Sequence, residues 1–222
     1  MILQEWGVCS SMAGLGIPYA VERALSSIVE ELDFCGTSKR AVWLLGGSCG
    51  LLLHGVQLSA PPRDIDLYCD LEDTPMLHQA LQRYTVSRPE EDFSGGCFSL
   101  RGLYYLGEVK VELVGGFRIG SSPTQYAVNV GMLQHHASVN YYEGIGRVPL
   151  MPLVHELVFN LLRGREDRCQ AIAGLIRENL AVHLPLLDQL IHENQLESGL
   201  HPRLEQLLGI ALSVPSINAA VN

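Results

Sequence analysis

The chain has 222 residues, 47% of them hydrophobic, and a formal net charge of −9 with only two lysines, Lys39 and Lys110. That length and apolar content suffice for one large core or two small ones, whereas the shortage of basic residues disfavours a long nucleic acid as partner. Any phosphate handling then falls to arginines, backbone amides or a metal. Uncharged stretches such as residues 41–62 are interrupted by Gly, Ser, His and Gln and do not suit a membrane span. The start, MILQEWGVCS, lacks the basic region of a signal peptide, so a soluble cytoplasmic protein is expected. Six cysteines (Cys9, Cys35, Cys49, Cys69, Cys97, Cys169) are scattered without a C-x-x-C pair, which speaks against structural zinc and for reduced thiols.

Val21, Leu25, Ile28, Val29 and Leu32 are spaced as one helical face over residues 17–34. KRAVWLLGG is a short apolar run ended by glycines, the pattern of a buried strand. Ser48 follows where a helix cap belongs, ahead of CGLLLHG, a short helix that Gly55 ends. QLSAPPR is a loop by its Pro-Pro pair, and DIDLYCD alternates acidic and apolar residues as a strand with one wet face does. TPMLHQALQRY predicts a helix with Pro75 in its first turn, residues 93–107 a strand with turns, and EVKVELVGG a second alternating strand.

After about residue 125 the period changes. Leu153, Val154, Leu157, Val158, Leu161 and Leu162 line one helical face, and further helices are predicted over about 168–181, 185–195 (with Pro185 at its start) and 202–212. The fold class is therefore α+β, with a mixed strand-and-helix part over residues 1–150 and a helical C-terminal region over 151–222.

Asp64 and Asp66, at i and i+2 of a strand, point to the same side and repel unless a cation lies between them. A hard divalent ion is the economical partner, since Mg²⁺ uses one or two carboxylates and completes its shell with phosphate oxygens. Gly46, Gly47 and Ser48, at a strand-to-helix turn, let backbone approach a ligand and aim free amides at an anion, and Ser48 can add its hydroxyl. Glu112, bracketed by apolar residues in VKVELV, is the candidate third carboxylate, preferred over Glu108. Two Mg²⁺ ions held by three carboxylates would clamp the attacking and leaving oxygens of an in-line displacement at phosphorus. His54, at the end of the short helix, is read as a packing or capping residue and Cys49 as a small packing residue.

LLGGSCGLLLHG, followed by RDIDLY and later VKVELV, resembles the nucleotidyltransferase superfamily, the polymerase-beta-like fold. Within it the pattern is most similar to the small bacterial proteins that include antibiotic nucleotidyltransferases and abortive-infection toxins. The resemblance covers roughly residues 40–170 and implies a mixed central sheet flanked by helices, with Mg²⁺ and a nucleoside triphosphate at one edge. It implies that Gly46, Gly47 and Ser48, with Arg63 before the acidic pair, hold the nucleotide. Asp64, Asp66 and Glu112 would bind metal and form the catalytic set, with Glu112 also a candidate base. Relatives often carry a lysine in the helix after the core; here Asn160 stands near that place, and Arg163 or Arg165 is the candidate replacement, with Arg165 assigned to the nucleotide. An arginine fork binds phosphate bidentately where lysine acts as a point charge.

The expected function is Mg²⁺-dependent transfer of a nucleoside monophosphate, from ATP or another nucleoside triphosphate, to a hydroxyl on a small molecule, a protein or an RNA end. The alternative is a nucleotide-binding module of weak turnover on the same fold, such as one half of a toxin–antitoxin pair. The C-terminal helices are open to shaping an acceptor pocket or to forming a homodimer or partner-protein face.

Overall fold

The computed structural model describes residues 16–33, 41–120, 126–194, 196 and 199–212. Cys9, Cys35 and Lys39 lie outside the described residues. Helix α1 (Tyr19–Asp33) buries Val21, Leu25, Ile28 and Val29 of the expected stripe, with Ala24 added and Leu32 half-buried. Then come β1 (Leu44–Gly46), α2 (Gly47–Leu53), β2 (Asp64–Cys69), α3 (Thr74–Ala80), β3 (Thr85–Asp92), β4 (Cys97–Leu106) and β5 (Val109–Ile119). The chain continues through β6 (Tyr126–Ala127), α4 (Val130–Leu133), β7 (Ser138–Tyr142) and β8 (Gly146–Leu150). It ends in α5 (Leu153–Leu162), α6 (Glu166–Glu178), α7 (Leu180–Glu193) and α8 (His201–Leu208).

The strands form one mixed sheet in the order β3-β4-β5-β2-β1-β8-β7, with β6 added to β5. β2 runs parallel to β5 and antiparallel to β1, and β1 is parallel to β8. Period-two alternation sends neighbouring residues to opposite faces, and two apolar cores result. Leu45, Ile65, Leu67, Val111 and Leu113 pack with α1 and with Leu77 of α3 on one face. Leu44, Tyr68 and Val114 pack on the other with α5, α6, α7 and α8. Asp64, Asp66, Lys110 and Glu112 share the parity of Tyr68 and Val114, so they lie on the face that the C-terminal helices cover.

The fold class is as predicted, an α+β arrangement with a mixed central sheet and C-terminal helices, but several elements differ from expectation. β3 went unread because TVSRPEED is an edge strand, exposed or half-exposed throughout, and so has no apolar alternation to reveal it. Pro89 sits where its pairing with β4 slips between Ser87 and Glu90, as an edge allows. The β7–β8 hairpin was hidden similarly, since Val139 and Tyr141 face solvent. Helix α7 begins at Leu180, not Pro185, and carries that proline inside it, forgoing one intrahelical bond. The break from α6 falls at Asn179, whose φ of −143° and ψ of 59° are non-helical.

Candidate active site

The site is assembled where β1 ends beside β2 and β5. Parallel pairing sets Asp64 opposite Lys110 and Asp66 opposite Glu112, while β1 sets Gly46 opposite Asp66. Three carboxylates and one ammonium therefore occupy a two-by-two patch of one sheet face. Lys110 Nζ lies 2.8 Å from Glu112 Oε1 and 3.3 Å from Asp64 Oδ2. From β4, Arg101 reaches Glu112 at 3.4 Å while holding Asp92 of β3 at 2.9 Å. Glu108 instead falls in the exposed β4–β5 turn. Burial, then the nearby charges of Asp64 and Glu112, push the Asp66 carboxyl up to about 7, against the opposing pull of Lys110 and Arg168.

The glycines admit protein groups. Gly47 has φ +63°, and a Cβ there would stand 2.0 Å from Asp66 Oδ2. At Gly46 a Cβ would meet the Tyr68 ring at 2.7 Å and Glu156 Oε1 at 3.0 Å. Helix α2 starts at Gly47 with Gly46 as its cap residue, so Ser48 lies inside the first turn and is not the cap. The Gly47 amide, expected to be free for an anion, donates to Glu156 Oε1 at 2.9 Å.

Glu156, not singled out in the sequence, is buried on α5 at the back of the site. Its carboxyl is raised to about 7 by burial, with the Gly47 amide opposing the rise. Asn160, one turn on, donates from Nδ2 to Glu156 Oε2 at 3.2 Å and to the Glu156 carbonyl at 2.8 Å. The residue standing near the lysine's expected place is thus buried and turned to Glu156. A signal for both was present: Glu156 and Asn160 are i and i+4, the spacing of one face, within a helix whose only other polar residue is His155.

Arg168 of α6 was also missed. Its Nη2 donates to Ser48 Oγ at 2.7 Å. Burial lowers its basicity, followed by the nearby Arg165, yet it remains a cation at neutral pH. Ser48, Arg63, Asp64, Arg165 and Arg168 line an open cavity of about 470 Å³ floored by the Gln57–Pro62 loop. Three of the candidates from separate parts of the sequence, Arg63, Arg165 and the Ser48 turn, are thereby brought to one cavity edged by a metal-type carboxylate. Arg163 lies apart, its guanidinium over the Phe159 ring at 5.3 Å. His54 hydrogen-bonds the Met151 carbonyl at 2.9 Å, and burial pushes the Cys49 thiol up to about 12. Neither group joins the site.

Among the described residues, no three carboxylate, imidazole or thiol groups are already gathered as a metal cage. The donors are nonetheless of the right kind for Mg²⁺, which needs only one or two carboxylates beside phosphate oxygens.

No protein-family profile and no curated protein sequence matches the chain. Among solved structures, the Thermotoga maritima protein TM1012, provisionally assigned as a nucleotidyltransferase, matches with a TM-score of 0.59 and 19% identity. That match covers 76% of this chain and 99% of TM1012. The aminoglycoside enzyme ANT(2'')-Ia, solved with adenylyl-2''-tobramycin, matches at 0.45 with 10% identity, over 79% of this chain and 97% of its own. The lincosamide adenylyltransferase LnuA, solved with lincomycin, matches at 0.38 with 14% identity, over 60% and 83%. The chain therefore has the nucleotidyltransferase fold that its motifs resembled, a conclusion that rests on the TM1012 match. Among the described residues no helix is long and apolar enough to cross a membrane.

Proposed function

We propose that the protein transfers a nucleoside monophosphate from a nucleoside triphosphate to an acceptor hydroxyl. The observation that carries the proposal is the β2–β5 register, Asp66 beside Glu112 and Asp64 beside Lys110, at the edge of an arginine-lined cavity. Asp64, Asp66 and Glu112 would hold Mg²⁺, which when bound supplies charge neutralisation at the reacting phosphate. Arg63, Arg165 and Arg168, with Ser48, would bind and orient the triphosphate oxygens by charge-assisted hydrogen bonds. Glu112 would take the proton as the acceptor oxygen bonds to the α-phosphorus and the bond to pyrophosphate breaks. Catalysis of this kind is mostly positioning and electrostatic stabilisation. The net charge of −9 favours a small-molecule or protein hydroxyl over an RNA end as acceptor.

A second reading, a nucleotide-binding module of weak turnover such as half of a toxin–antitoxin pair, is favoured by one observation. Asn160 spends its amide on Glu156 where relatives often carry a lysine. One experiment separates the two. The full chain is incubated with Mg²⁺, each α-labelled nucleoside triphosphate in turn, and either candidate hydroxyl acceptors or a cell lysate. The transferase reading expects a labelled product that Asp66→Asn abolishes; saturable nucleotide binding without product in any combination would overturn it in favour of the second.

A further inference from the structure

Resting on the metal-site reading above, we infer that Lys110 is a resident counter-cation that bridges Asp64 and Glu112 and must be displaced when a divalent ion binds. The register alone puts it there. Lys110 pairs with Asp64 across β2 and β5 and precedes Glu112 by two residues on the same face. Its ammonium touches Glu112 at 2.8 Å and Asp64 at 3.3 Å, the space a cation shared by those carboxylates would use. Asp66, the remaining acid, is turned against Gly47. Glu112 is drawn to Lys110 and Arg101 together, which accounts for three acids on one sheet face forming no ready three-ligand cage.

The lysine has a way out. Its side chain is 36% exposed, against 18% for Glu112, so it can swing to solvent or to an arriving phosphate without disturbing the core. Arg101 lacks that role because it is anchored to Asp92 at 2.9 Å. Lys110 is therefore a positioning residue. It offsets part of the patch's negative charge in the metal-free protein and sets the metal concentration at which the acids come together.

With Lys39 and Lys110 the only lysines, amine-reactive labelling followed by mass spectrometry resolves the two in the full chain. Saturating Mn²⁺ should raise Lys110 labelling severalfold while Lys39, the internal reference, is unchanged. In parallel, Lys110→Met should bind Mn²⁺ about tenfold more tightly by paramagnetic resonance, the order expected from removing one unit charge beside a half-exposed site. Lys110→Arg, which keeps the charge, should stay within about threefold of the parent. Wild-type Mn²⁺ binding that Asp66→Asn removes, with Lys110 labelling unchanged and Lys110→Met no tighter, would overturn the displacement and leave the metal site standing. Absence of Mn²⁺ binding in both the wild type and Lys110→Met would overturn the metal-site reading and this inference with it.

Discussion

The Asp66 carboxylate fills the space in which a side chain at Gly47 would sit, Oδ2 lying 2.0 Å from the position of a Cβ. The glycine is thus explained twice, by φ +63° and by the acid pressed against it. Gly47→Ala should cost about 2–4 kcal/mol of stability, strain and overpacking combined, and weaken Mn²⁺ binding by moving Asp66. Gly95→Ala is the control, because Gly95 has φ +62° with nothing within 4 Å, and should cost only about 1 kcal/mol. Urea unfolding of the two variants measures the difference; equal losses would mean the Asp66 contact contributes nothing.

Asp66 and Glu156 make the metal-free protein less stable as pH rises. Both carboxyls are raised to about 7 from ordinary values of 3.8 and 4.5. Between those limits the folded state binds more protons than the unfolded one at these two groups, so their contribution to stability is full at acid pH and is lost towards pH 7. A loss on the order of 2 kcal/mol between pH 5 and 8 is expected after allowing for the part of Asp66 that reaches solvent. Asp66→Asn and Glu156→Gln should each flatten the curve. Metal binding needs the deprotonated acid, so Mn²⁺ affinity should rise with pH over the same window. A stability curve that climbs from pH 5 to 8 would contradict the assignment.

Arg168 is tethered to the Ser48 hydroxyl at 2.7 Å and faces the cavity with Arg63 and Arg165. Arg168→Ala should lower nucleoside triphosphate affinity by about ten- to a hundredfold while changing stability by no more than about 1 kcal/mol. Arg168→Lys should recover only part of the affinity, since a point charge replaces a planar fork. Calorimetric titration of nucleotide in the presence of Mg²⁺ measures both; unchanged affinity in Arg168→Ala would remove this residue from the proposed nucleotide site.

Tyr126 and His155 form a buried hydrogen bond of 2.7 Å behind the site, and burial holds the imidazole neutral down to about pH 3. Tyr126→Phe leaves the neutral ring nitrogen without its partner and should cost about 1–2 kcal/mol in denaturant unfolding. Nucleotide and Mn²⁺ affinities should not change. A shift in either would mean that this pair is coupled to the site.

Much of the candidate site was legible because the residues that suggest it are local in sequence. Asp64 and Asp66 needed only the two-residue period of a strand to be placed on one face, and the Gly46-Gly47-Ser48 turn needed only an apolar run that stops. The apolar stripes of α1 and α5 were equally plain, because a buried helix face repeats over many residues. Strands β3 and β7 carried no such repeat, being exposed at the sheet margins.

From the sequence alone came the acidic pair, the third carboxylate, the glycine turn, the arginines and the resemblance they compose. Which of these meet was decided by tertiary structure. The contact between Ser48 and Arg168 spans 120 positions and that between Gly47 and Glu156 spans 109. No periodicity reaches so far; those distances follow from how the sheet and α5–α6 pack. Likewise the surroundings of Lys110 and Glu156 depend on strand register and burial, which set the cost of each charge only once the chain has closed around it.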